Sequence, residues 1–297
     1  MRVVNVVKRF CGVEVLRGVS ISIDKGTVVS LLGPNGSGKT TLIRIIVGVL
    51  KPNSGTVVFN GRLLSYLPQE HGLFEELTGL DNVLFYARLY GLSEDYAKKR
   101  AKELLDRLEL LEHAKIVVAK YSGGMAKKLS FTIALLPDAD LLVLDEPTTG
   151  LDPSSRQAVW GIIEDEKRSG KAVLLSTHYM EEVERLSDYV YLMHRGAIVA
   201  EGTSEELKRK YAPKSVMELQ LQGLLSKAVE VLRASGFEVI TEGAKALKIY
   251  TDSPREAVPR MVSTLHASDV YVKSLRVVEP TLDDVFLRLT GRGLTEE

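Results

Sequence analysis

The chain has 297 residues, 45% hydrophobic and 26% charged, with Lys plus Arg equal to Asp plus Glu at 39 each. That length favours two domains over one, the composition excludes a mostly disordered polymer, and the zero net charge supplies no whole-chain field that would draw it onto nucleic acid or an anionic membrane. A single cysteine, Cys11, excludes an intrachain disulfide framework and fits a reducing compartment.

The first residues, MRVVNVVKRFCGVEV, scatter Arg2, Lys8, Arg9 and Glu14 among the apolar ones, unlike the uninterrupted core of a signal peptide. No stretch approaches the roughly 20 apolar residues that span a bilayer, so a membrane role is expected to need another polypeptide. Alternation and β-branched residues predict strands over Arg2 to Val7 and Val15 to Ile23, and a buried one over Val28 to Leu32 that runs into a glycine-rich loop. Thr41 to Val49 then reads as a helix with Leu42, Ile45, Ile46 and Val49 on one face, followed by a strand over Thr56 to Phe59 that ends at Asn60-Gly61.

From about Leu77 to Leu135 the period becomes helical, which predicts a helical insert at 77–135 within an α/β domain. Leu141 to Leu144 and Ala172 to Ser176 lack alternation, as strands buried on both faces of a parallel sheet do. Tyr189 to Met193 and Ala197 to Ala200 read as a hairpin, and Ser204 to Lys210 as a charged helix. Pro213 is the expected boundary, giving domains at 1–212 and 213–297. Beyond it the order strand (Met217 to Leu221), helix (Ser226 to Ala234), strand (Phe237 to Ile240), strand (Ala246 to Thr251), helix (Arg255 to Leu265), strand (Val270 to Val278) is that of a split βαβ, ferredoxin-like α+β domain. A last helix opens at Thr281-Leu282-Asp283-Asp284 and sets Leu282, Val285, Phe286 and Leu289 on one face.

Gly33, Pro34, Asn35, Gly36, Ser37, Gly38, Lys39, Thr40 and Thr41 fit G-x-x-x-x-G-K-[ST], placed between a predicted strand and a predicted helix. Glycines are needed because the backbone must turn its N–H groups inward around phosphate oxygens. Lys39 is then expected to reach the β- and γ-phosphates and Thr40 to present its hydroxyl to Mg²⁺, with the helix dipole aimed at the same charge. Leu141 to Leu144 ends in Asp145 and Glu146. Alone, such a pair is a strand reaching solvent; beside a phosphate loop, Asp145 is expected on the metal side and Glu146 in position to orient or deprotonate a water that attacks the γ-phosphate.

Tyr121-Ser122-Gly123-Gly124-Met125, upstream of the Asp145-Glu146 strand, resembles the signature motif of ABC ATPases. Thr149-Gly150-Leu151-Asp152 is similar to that family's D-loop, His178 to its switch histidine, Gln69 in Tyr66-Leu67-Pro68-Gln69-Glu70 to its Q-loop glutamine, and Phe10 to the aromatic that stacks on adenine. Each is weak alone, since a lone His after a strand is more often structural and Phe10 is as readily core. Together they run in family order over roughly the first 210 residues. The resemblance implies a P-loop NTPase fold of the ABC type, ATP and Mg²⁺ as ligands, and Thr40, Gln69 and Asp145 around the metal. It also implies a head-to-tail homodimer with two ATP molecules at its interface, where Ser122, Gly123, Gly124 and Met125 act on the opposite protomer's ATP while Glu146, His178 and Lys39 act on the chain's own.

Asn82-Val83-Leu84-Phe85-Tyr86-Ala87-Arg88-Leu89-Tyr90-Gly91, Met125 and the tail Glu279 to Leu287 resemble the ATPase subunits of drug, lipid or polysaccharide exporters of the daunorubicin-resistance type. The resemblance implies an ATP-hydrolysing subunit that works through a separately encoded membrane permease, cytoplasmic and peripheral on the inner face of the membrane, with no nucleic-acid partner. The competing reading is a soluble ABC ATPase acting on the ribosome or DNA, usually with paired ATPase modules or a long coiled coil. A P-loop kinase or GTPase would leave the signature and switch motifs without a purpose. The segment Arg62 to Ser65, between Asn60-Gly61 and Gln69, is shorter than family members carry, which leaves the sheet edge there in question.

Overall fold

The computed structural model describes residues 1–70, 72–212, 215–222, 225–242 and 246–291. Contacts divide the chain into two compact units, one spanning Met1–Ser204 and one beginning at Glu205; Pro213 itself lies outside the described residues.

The first unit opens with β1 (Arg2–Phe10) and β2 (Val13–Ser22), followed by β3 (Val28–Leu32), α1 (Lys39–Ile46), β4 (Ser54–Val58) and β5 (Leu64–Leu67). After α2 (Gly79–Leu89), α3 (Glu94–Arg107) and α4 (Gly123–Ala134) the α/β pattern resumes with β6 (Leu141–Asp145), α5 (Pro153–Arg168), β7 (Ala172–Thr177), α6 (Met180–Leu186), β8 (Tyr189–His194) and β9 (Ala197–Gly202). These strands make two sheets: a three-stranded antiparallel one in the order β2-β1-β4, and a six-stranded one in the order β5-β6-β7-β3-β8-β9. In the larger sheet every pairing is parallel except the last, where β9 returns against β8. The turn between those two strands places Arg195 and Gly196 at positive φ, the geometry that suits a right-twisted two-residue hairpin.

β3, β6 and β7 are buried at every position, which explains their unbroken apolar wording. Alternate residues nevertheless serve different cores. Val29, Leu31, Leu141, Val143 and Leu174 pack with β1, β2 and α1, whereas Val28, Leu142, Leu144, Val173 and Leu175 pack with Phe131 of α4 and with Val159, Trp160 and Ile163 of α5. The parallel sheet is thus the middle layer, and its carboxyl ends are where a doubly wound fold gathers its ligands.

The sheet edge left in question by the short Arg62 to Ser65 segment is a real strand. β5 pairs with β6 in the register Leu64↔Leu141 to Leu67↔Leu144, and Ser65 Oγ donates to Ala134 O at 2.5 Å. Between Leu64 and Leu67, Tyr66 is only half-buried, yet burial and the neighbouring Asp145 charge push its phenol up to about 12. The ordinary value in an unfolded chain is about 10. Between those two pH values the folded protein holds a proton that the unfolded chain has released, so stability declines as pH rises through that window. The expected result is that Tyr66→Phe, compared with the parent in denaturant titrations from about pH 9 to 11.5, gains relative stability as the pH rises; parallel curves would contradict it.

α2, α3 and α4 have their own core of Val83, Ala87, Ala97, Ala101, Leu105, Leu129 and Ile133. Each starts on a hydroxyl cap: Thr78 accepts from Asp81 N, Ser93 from Tyr96 N and Ser122 from Met125 N. Such a cap is worth about 1 kcal/mol.

The second unit holds α7 (Ser204–Tyr211, whose first residue falls at the division), β10 (Ser215–Gln222), α8 (Leu225–Ala234), β11 (Glu238–Glu242), β12 (Ala246–Thr251), α9 (Pro254–His266), β13 (Tyr271–Val278) and α10 (Leu282–Thr290). Its antiparallel sheet has the order β11-β12-β10-β13, the split βαβ arrangement. Met217, Leu219, Leu247 and Ile249 of the sheet pack against Ala228 and Leu232 of α8 and Met261 and Leu265 of α9. Thr281 and Asp284 form a reciprocal capping box at the start of α10. The buried Asp284 also accepts from Tyr250 Oη at 2.8 Å and lies 3.6 Å from Lys248 Nζ, fastening α10 to β12.

Candidate functional site

β3 delivers the chain into the loop Gly33 to Gly38, where glycine is a steric requirement at two positions. A Cβ on Gly33 would stand 2.2 Å from the backbone oxygen of Met193, and Gly38 has φ +105° with the side chains of Leu16 and Met193 each 3.0 Å from where a Cβ would stand. The loop leads directly into α1, so its free amides and the helix dipole converge on one cleft of about 310 Å³, lined by Val15, the run Asn35 to Thr41, Gln69 and Glu146.

Lys39 is the first residue of α1 and only 5% exposed. Its Nζ donates to Gly33 O at 2.7 Å and Pro34 O at 3.1 Å, and stands 3.8 Å from Glu146 Oε1. Burial pulls its pKa down while Glu146 and Asp145 pull it up. The ammonium is therefore caged among acceptors, as a cation awaiting anionic oxygens needs to be. Thr40 Oγ1 points at Asp145 Oδ1 from 3.4 Å.

Asp145 ends β6 with no solvent exposure. Ser176 Oγ donates to its Oδ1 at 2.5 Å, while Oδ2 has no hydrogen-bond partner. Burial raises its pKa, opposed by the hydroxyls of Ser176 and Thr40 and by Lys39.

Glu146 follows at φ +51°, a left-handed conformation costly for a residue with a Cβ and found chiefly where the surroundings enforce it. Here they do: its N–H donates to both the carbonyl and the hydroxyl of Ser176, each at 3.1 Å. That twist turns the carboxylate back over the cleft. Oε2 accepts from Thr149 Oγ1 at 3.1 Å, and Oε1 lies 3.4 Å from His178 Nδ1 and 3.8 Å from Lys39 Nζ. The His178 ring meets that of Tyr179 at a tilt of 41°, with centroids 4.1 Å apart.

Lys39, Thr40, Gln69, Asp145, Glu146 and His178, far apart in sequence, thus meet at the carboxyl ends of β3, β5, β6 and β7. Two groups of residues singled out from sequence lie elsewhere. Phe10, at the end of β1, is 42% exposed, carries Lys8 Nζ 5.0 Å above its ring and does not line the cleft. Ser122, Gly123, Gly124 and Met125 do not line it either. Ser122 caps α4 from an exposed position, and a Cβ on Gly124 would sit 3.6 Å from Leu151 and 3.8 Å from Gly150 O, so the α4 end rests against the Thr149 to Asp152 segment. Asp152 in turn caps α5, accepting from Ser155 N at 2.9 Å and from the hydroxyls of Ser154 and Ser155, which hold its carboxyl well below the usual carboxylate range.

Sequence reasoning missed Ser176 and Thr149 as supports of the acidic pair. Ser176 had a visible signal, a hydroxyl following the apolar run Ala172 to Leu175 in a buried strand. Thr149 was singled out only as part of the D-loop-like run, with nothing in its wording to tie its hydroxyl to Glu146.

Residues 16–149 match the family profile described as ABC transporter, and residues 202–290 the one described as ATP-binding protein DrrA1-3-like, C-terminal domain. The chain is 36% identical to the Daunorubicin resistance ATP-binding protein DrrA3 of Streptomyces coeruleorubidus, over 96% of this chain and 93% of that one. It is 32% identical to the Linearmycin resistance ATP-binding protein LnrL of Bacillus subtilis (strain 168), over 98% of both chains. With the Nod factor export ATP-binding protein I of Ralstonia nicotianae it shares 34% identity over 97% of this chain and 93% of that protein. A solved structure described as the ATP binding subunit of an ABC transporter superposes with a TM-score of 0.67 at 32% identity, covering 71% of this chain and 92% of the other.

Proposed function

This chain belongs to the ABC transporter ATP-binding proteins of the DrrA-like kind, and we propose that its cleft hydrolyses ATP by a base mechanism centred on Glu146, within a head-to-tail dimer that drives an export permease. As a member it is an ATPase that powers export through a separate membrane subunit. The single observation that carries the proposed assignment is the twisted carboxylate of Glu146, held by Thr149 and facing His178 and Lys39 across the cleft.

In this reading the amides of Asn35 to Thr41 and the ammonium of Lys39 hold the β- and γ-phosphates, Lys39 exchanging the Gly33 and Pro34 carbonyls for phosphate oxygens. Glu146 orients the attacking water and accepts its proton, while His178 contacts the γ-phosphate. Thr40, Gln69 and Asp145 offer a hydroxyl, an amide carbonyl and a carboxylate with one unpartnered buried oxygen, a hard oxygen set that suits Mg²⁺. Held there, Mg²⁺ would supply positive charge that offsets the charge of the phosphates. Ser122, Gly123 and Gly124, outside the chain's own cleft at the start of α4, would bring a hydroxyl and free amides to the ATP of a second protomer.

Among the described residues no helix is long and apolar enough to cross a membrane. Phe74 and Phe85, 41% and 37% exposed, form an edge-to-face pair 4.7 Å apart at the start of the helical insert, close in sequence to Gln69. We assign this aromatic patch to the permease, which would hold the subunit on the inner face of the membrane, and by likeness to its daunorubicin- and linearmycin-resistance and Nod-factor-export relatives the cargo is a drug-like or Nod-factor-like molecule. The test is copurification from detergent with the membrane proteins encoded beside this gene. Retention of the wild-type chain and loss with Phe74→Asp/Phe85→Asp is expected; association with ribosomes or DNA instead would overturn the assignment.

A further inference from the structure

Behind the loop that follows Glu146 lies a group of buried charges to which the reaction assigns no role. Glu182 of α6 has no solvent exposure. Its Oε1 accepts from Thr148 Oγ1 and Trp160 Nε1, each at 3.0 Å, and its Oε2 has no hydrogen-bond partner. A carboxylate so far from water is costly unless cations share its surroundings. Burial raises the pKa of Glu182, opposed first by the hydroxyl and indole donors of Thr177, Trp160 and Thr148 and then by the charge of Arg156. Lys127 of α4, 3% exposed, has its ammonium disfavoured by burial and favoured by the charges of Asp145, Glu146 and Glu182.

These residues belong to the segments that carry the chemistry. Lys127 lies a little over one turn beyond Ser122 on α4. Thr148 stands between Glu146 and the Thr149 to Asp152 run, and Glu182 sits on the helix that follows His178. Arg156 makes the same connection from α5: its Nε donates to Leu151 O at 3.1 Å and its guanidinium stands 4.9 Å over Tyr179, whose ring meets that of His178. Packed interiors of this kind switch between discrete arrangements rather than deform smoothly.

We propose that Glu182, hydrogen-bonded to Thr148, and the buried Lys127 of α4 are positioning residues that couple Glu146 in the chain's own ATP site to the Ser122 end of α4 and the Thr149 to Asp152 edge, which the same chain offers to its partner's ATP. The inference rests on the dimer reading above. Neither side chain touches ATP; both act by setting where Glu146 stands. Contact of Ser122 with the partner's nucleotide shifts α4, and the Lys127 charge moves with it relative to Asp145, Glu146 and Glu182.

The test uses the double variant K127M/E182Q, which removes both charges together, and Thr148→Val, which deletes one hydroxyl and no charge. The expected result for the double variant is a kcat about tenfold lower, within the usual range of site-to-site coupling. Its KM for ATP should stay within about twofold, because binding is left intact, and ATP-driven dimerisation should persist when Glu146→Gln is added. Thr148→Val should show the same split at about threefold, the loss of one hydrogen bond, and decides the matter if the double variant does not fold. A wild-type kcat in a folded variant, or a kcat loss matched by a rise in KM or by failure to dimerise, overturns the coupling. Glu146→Gln alone, run alongside, separates the two ideas: if it does not dimerise with ATP the dimer reading fails and the coupling with it, whereas if it dimerises and both variants turn over normally only the coupling fails.

Discussion

Glu146→Gln is expected to lose turnover by about 10²- to 10⁴-fold, the usual contribution of a positioned general base, while keeping ATP. The amide is nearly isosteric with the carboxylate, so its oxygen still accepts from Thr149 Oγ1 and the twisted backbone at Ser176 is untouched. What disappears is the ability to take a proton from water. The substitution also removes one of two negative charges from the surroundings of Lys39, which leaves that ammonium freer to bind phosphate. ATP should accordingly persist on the protein and accumulate a species of twice the subunit mass, read by light scattering, while phosphate release is measured in parallel. A wild-type rate would show that Glu146 is not the base.

Lys39→Ala is expected to weaken ATP binding by roughly 100-fold, since hydrogen bonds to a charged partner contribute about 1.5 to 3 kcal/mol and 1.4 kcal/mol is tenfold. The lysine is poised rather than idle: its ammonium is held between the carbonyls of Gly33 and Pro34 and the carboxylate of Glu146, within reach of the loop amides that would surround the same phosphates. Removing it also takes one cation from the surroundings of the buried Asp145 and Glu146, so anionic ATP meets a more negative field. Titration with a fluorescent ATP analogue reads the change. Lys39→Arg should not rescue it, because a planar fork replaces a compact charge in a space shaped by backbone. Unchanged affinity in Lys39→Ala would remove this residue from phosphate binding.

The fold was legible wherever physical demands coincide with local wording. Val28 to Leu32 and Ala172 to Ser176 announced themselves as buried strands because both faces of a central parallel strand need apolar side chains. The phosphate loop was readable because backbone geometry admits only glycine at Gly33 and Gly38. β5 was not readable: Leu64 to Leu67 is short, borders a segment of reduced length, and acquires its strand character from pairing with Leu141 to Leu144, distant in sequence.

For the site, residue types and order along the chain were enough to nominate Lys39, Asp145 and Glu146, because phosphate chemistry restricts which side chains serve, whereas His178 was nominated only by resemblance to ABC ATPases. The left-handed twist that aims Glu146, the pairing of its amide with Ser176, and the gathering of the buried Lys127 and Glu182 with the half-buried Arg156 had no counterpart in the linear pattern. They depend on which side chains from β6, β7, α4, α5 and α6 come within a few ångströms of one another. Local sequence encodes turns, caps and periodicity through short-range sterics, and these determined the elements and the phosphate loop. Electrostatic balance among buried groups is a sum over neighbours brought together by packing, so the aim of the carboxylate and the links behind it were decided by the tertiary structure alone.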